Sequence, residues 1–106
     1  MARNISIQSA LIGALLARGR WASHYVKDSN AALSDLTEAL GQAISGGYRI
    51  YEADIRTGIA WVHLAEGDPS GARAEAERVR QMSAEMSYHW GQIEAVAVFD
   101  VLDRQG

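Results

Sequence analysis

The chain has 106 residues, 48% of them hydrophobic, with one proline, no cysteine and a formal charge of −3. That length supports one domain, or part of one, with a real core, and the apolar content argues against disorder. Ten basic against thirteen acidic residues leave no field to hold a polyanion, so non-specific nucleic-acid binding is excluded; without cysteine, neither a disulfide scaffold nor a thiolate metal site can form.

Met1-Ala-Arg-Asn and the apolar run Ala10–Ala17 have the outline of a secretion signal, but Asn4, Ser6, Gln8 and Ser9 separate the charge from the run. The run continues into Arg18 and Arg20 and is far shorter than the roughly twenty apolar residues of a membrane span. The expectation is a cytoplasmic protein with no membrane partner.

Hydrophobic spacing divides the chain into about five helical segments. The first runs from about Ile5 to Val26, and Lys27-Asp28-Ser29-Asn30 breaks it with three cap-forming residues. The second, about Ala31 to Ser45, sets Ala32, Leu33, Leu36, Ala39, Leu40, Ala43 and Ile44 on one stripe. After Gly46-Gly47 a third runs from Tyr48 to Glu66, with Tyr51, Ile55, Gly58, Ile59, Val62 and Ala65 inward. Gly67 ends that helix in the left-handed conformation, Asp68 caps the next and Pro69 opens it, a turn so tight that the two helices must lie antiparallel.

The fourth segment, Pro69 to about Met86, is expected to bury Ala72, Ala76, Val79 and Met82 or Met86. It exposes Arg73, Glu75, Glu77, Arg78 and Arg80, with Arg73 and Glu77 spaced to pair. Ser87 is expected to cap a fifth helix carrying Trp90, Ile93, Val96, Phe99, Val101 and Leu102. No segment alternates with period two.

Asp28 and Asp68, Ala32 and Ala72, Trp21 and Trp61, and Tyr48 and Tyr88 are each forty residues apart, the punctuation of a helical repeat. Ile59-Ala60, His63, the Gly67-Asp68 turn and Ala72, with Ala32-Leu33, Leu36 and Ala39-Leu40 in the preceding unit, resemble the tetratricopeptide repeat (TPR) family, in the forty-residue variety of bacterial regulatory ATPase arms and kinesin light chains. The resemblance implies an all-α, right-handed helical-repeat solenoid of antiparallel helix pairs in a single domain over 1–106. Repeat 1 would cover 5–45, repeat 2 would cover 48–86, and a lone terminal helix 87–104. Arg56 departs from the family's large apolar residue, as do Gly19 and Arg20 from its Leu-Gly pair, and HEAT or armadillo repeats have a compatible length.

The family carries no catalytic residues, so no enzyme, cofactor or metal is expected. His24, His63 and His89 lack a ligand partner at helical spacing, and no phosphate loop or nucleophile elbow is present. A DNA-binding helix-turn-helix at Gly67-Asp68 is disfavoured because Glu75 and Glu77 would face phosphates. The resemblance instead implies a groove for a protein or peptide, lined by Arg18, Trp21 and Tyr25 from the first unit and by Asp54, Thr57, Trp61 and Leu64 from the central one. For Trp21 and Trp61 the competing reading is packing between hairpins. A sensor arm of a larger ATPase or transcriptional regulator is the alternative function. The apolar terminal helices point either to a longer array or to homo-oligomerisation.

Overall fold

The computed structural model describes residues 29–105, all in four helices and their turns: α1 (Ser29–Gly46), α2 (Arg49–Ala65), α3 (Pro69–Met86) and α4 (His89–Gln105). The expected first segment, with Arg18, Trp21 and Tyr25, lies outside the described residues. Each helix begins twenty residues after the one before it, which makes a helix pair forty residues long.

The joints explain the register. Gly47, Gly67 and Ser87 have positive φ (73°, 79° and 56°), again at intervals of twenty. At each, the N–H of that residue donates to a carbonyl three back and the next N–H to one five back, as in Gly67 to Leu64, 3.2 Å, and Asp68 to His63, 2.8 Å. This pair of bonds, the Schellman motif, closes a helix and turns the chain sharply. The carbonyls of Tyr48, Asp68 and Tyr88 then accept the first bond of the next helix, from Glu52, Ala72 and Gln92. At α3 the Asp68 carboxylate also accepts from Gly71 N–H at 2.9 Å, with Pro69 in the first turn, as the sequence predicts. Ser87 differs from expectation: it ends α3 in the left-handed conformation, and Tyr88 precedes α4.

Packing is matched across each joint. At the last two joints the residue four before the left-handed one faces a glycine four after it: His63 and Gly71, Ser83 and Gly91. A Cβ on Gly71 would come within 3.1 Å of the His63 ring and strike the Asp68 carboxylate, and one on Gly91 would collide with the Ser83 hydroxyl. Tyr51 packs on the cluster that holds Ala43.

Helices pack in chain order, α1 on α2, α2 on α3 and α3 on α4, and α2 also touches α4. Among the described residues α1 meets neither α3 nor α4, so the four helices do not close into a ring. The core follows this order. Ala32, Leu36, Ala39 and Ala43 of α1 pack with Ile55, Ile59 and Val62 of α2. On another side of α2, Ala60 meets Ala72 and Ala76 of α3 and Val98 and Leu102 of α4, while Ala53 meets Val79 and Ala95. Alanines at these seams let the axes approach closely.

Burial departs from the sequence reading in particular places. Ile44, expected inward, is 53% exposed. On α4 the inner face is Gly91, Ala95, Val98 and Leu102, whereas Trp90, Ile93 and Val96 point out. Glu77 pairs with Arg80 (2.8 Å) rather than with Arg73, whose guanidinium lies over the Phe99 ring at 5.9 Å.

Candidate functional site

Helix α2 has neighbours on three sides, and its polar residues are used accordingly. Ala53, Ile55, Thr57, Gly58, Ile59, Ala60 and Val62 are all buried. Asp54 and Trp61 are seven residues apart, two turns or about 10 Å along one face of the helix, and Leu64 lies one turn beyond Trp61. Both Trp61 and Leu64 are half-buried against the Ala60–Ala72–Val98–Leu102 cluster, at the seam with α4. The Asp54 carboxylate accepts a 2.8 Å hydrogen bond from the Tyr88 hydroxyl, which ties the middle of α2 to the start of α4. Thr57 is not on this surface. It is 2% exposed and its hydroxyl donates to the Ala53 carbonyl at 3.0 Å, so it packs the interior and has no free face for a ligand.

The structure therefore brings Asp54, Trp61 and Leu64 to one seam, with Tyr88, just before α4, and Phe99 of α4 beside them. Tyr88 is the member that residue-type reasoning missed, although the Tyr48–Tyr88 interval marked the position. The seam offers a half-buried indole, an acid bonded to a tyrosine hydroxyl, and aliphatic walls.

Arg56 is the other polar feature of α2. Its Nε lies 3.0 Å from Glu52 and a terminal nitrogen 3.1 Å from Glu75 of α3, with the three side chains 19%, 13% and 22% exposed. Burial pulls the guanidinium pKa down, and the hydrogen bonds and charges of the two glutamates more than reverse it, leaving it above the ordinary arginine value. Arg56 is thus a charged bolt between α2 and α3. Glu75, expected on the solvent face, is its second anchor.

His63 is half-buried at the α2–α3 joint, with Nδ1 3.5 Å from the Asp68 carboxylate. Among the described residues no three histidines, cysteines or acids gather as a metal site, and no helix is long and apolar enough to cross a membrane. Searches of family models, of curated proteins and of solved structures find no match for this chain.

Proposed function

We propose that the chain is a TPR-like helical-repeat segment that binds a protein or peptide along the row formed by α2 and α4. The observation that carries this reading is the alternation of contacts. Helices α2 and α4 touch each other across α3, whereas α1 and α3 do not touch. Alternate helices then form an inner row and an outer row, and the closer spacing of the inner row curves the array toward it. Asp54, Trp61 and Leu64 lie on the inner row.

The mechanism is display. The Schellman joints, the Asp54–Tyr88 bond and the Arg56 bolt hold the helices in place before a ligand arrives, so binding costs little ordering of the receptor. A half-buried tryptophan with an acid about 10 Å away suits an extended peptide with an apolar anchor and a basic residue about three positions from it.

The test is to pan a peptide library against the full chain and measure a selected peptide by fluorescence anisotropy against the native chain, Trp61→Ala and Leu64→Ala. Loss of binding in both variants with unchanged helical circular dichroism supports the reading. Undiminished binding by both variants, or no peptide selected at all, refutes it.

A further inference from the structure

The half-buried carboxylates of the four helices are partnered, with one exception. Glu52 and Glu75 hold Arg56, Asp54 accepts from Tyr88, and Asp35 has a partner as well. Glu94 of α4 is half-buried like them, yet among the described residues it has neither a hydrogen-bond nor an ion-pair partner. Each arginine among those residues is engaged elsewhere, as Arg104 is with Asp100 at 3.0 Å. Glu94 thus gives up part of its hydration with no return from within these helices.

Its place in the fold says what would complete it. Glu94 stands forty residues after Asp54, and the match extends to their neighbours. Four residues before each acid is an exposed apolar side chain, Ile50 at 53% and Trp90 at 56%, and seven after each is a half-buried one, Trp61 and Val101. Positions four and seven apart share a helix face, so α2 and α4 carry the same row of apolar, acid and apolar residues. On the footing of the peptide-binding reading, we propose that Trp90 and Glu94 form a second subsite of that groove, and that its ligand is an extended peptide with two basic residues, one at Asp54 and one at Glu94. A lysine or arginine in the second subsite lies along the Trp90 indole and sets its charge at the carboxylate one turn on. Helices α2 and α4 run parallel and touch. Their equivalent positions are therefore roughly 8–10 Å apart, about three residues of extended chain.

Panning one random peptide library in parallel on the full native chain and on Glu94→Gln tests it. Peptides selected by the native chain should carry two basic residues about three positions apart, and those selected by Glu94→Gln only one. The labelled consensus peptide of the native selection is the probe for fluorescence anisotropy at low salt. Glu94→Gln should weaken it about threefold or more and Glu94→Lys about tenfold or more, with helical circular dichroism unchanged because the carboxylate holds nothing within the described helices. A peptide with glutamate in place of the second basic residue should bind Glu94→Lys better than it binds the native chain. Native-selected peptides with a single basic residue, an undiminished Glu94→Gln affinity, or no gain from the charge exchange overturns this subsite; where Trp61→Ala still abolishes binding, the groove reading survives it. No selected peptide, or binding that neither Trp61→Ala nor Glu94→Gln weakens, overturns both.

Discussion

Gly91→Ala tests the fit between α3 and α4 directly. In an unpacked helix this change favours folding by up to about 1 kcal/mol. Here the new methyl would lie 3.0 Å from Ser83 Cβ, 2.8 Å from the Tyr88 ring and against the Ser83 hydroxyl. Tyr88 is held by its bond to Asp54 and cannot swing away without breaking it. Relief must then come from moving α4 off α3, an overpacking penalty of about 1–3 kcal/mol, which leaves a net loss of about 1 kcal/mol. The Ser83 hydroxyl is buried without a hydrogen-bond partner among the described residues. Ser83→Ala alone should therefore stabilise by about 1 kcal/mol, and in that background Gly91→Ala should cost less by a further ~1 kcal/mol. Urea unfolding of the four proteins, followed by circular dichroism, measures both terms. A Gly91→Ala protein more stable than the native one, or strictly additive changes, would show that the two helices do not meet as closely as described.

Two further substitutions probe the joints and the bolt. Ser87→Gly relieves a non-glycine residue at φ 56° and should stabilise by about 0.5–1 kcal/mol in the same assay, whereas Gly67→Ala, at φ 79°, should lose about 1 kcal/mol; no change in either would sink the argument from backbone strain. Arg56→Met leaves Glu52 and Glu75 facing each other without a cation, and partial exposure limits the cost to about 1–3 kcal/mol. The raised Arg56 pKa keeps the cation's contribution below the ordinary arginine value and loses it only above the folded one, so the gap between native and Arg56→Met should not reflect arginine titration between pH 6 and about pH 9. A variant as stable as the native chain would mean that the bolt is ornamental.

The bounds of α3 were legible because Gly67, Asp68 and Pro69 each fit one position of a turn and no other nearby. Ser87 was misread for the converse reason: serine is a common cap, and only its backbone angle shows that it closes a helix here. Hydrophobic spacing found most of the inward stripe of α1 but not the burial of Ala53, Thr57 and Ala60 in α2, because a helix with three neighbours has little solvent side to set a phase. Its polar residues meet partners far along the chain, Arg56 with Glu75 and Asp54 with Tyr88, and composition alone gives no hint of either. Thr57 owes its place in the expected groove to the family resemblance, which says nothing of where its hydroxyl bonds. A hydroxyl that bonds to its own helix reads in sequence as one that awaits a ligand.

The evenly spaced left-handed corners have a consequence for how such a chain can lengthen. Because Gly47-Tyr48 and Ser87-Tyr88 make the same backbone bonds in front of helices that start forty residues apart, a block of forty residues copied between them would inherit correct corners at both splice points. Duplication in whole blocks would leave every existing joint intact, whereas the gain or loss of a single residue within a helix would rotate everything downstream by about 100°. Growth by unit is thus mechanically cheap for this architecture, and growth by increments is not.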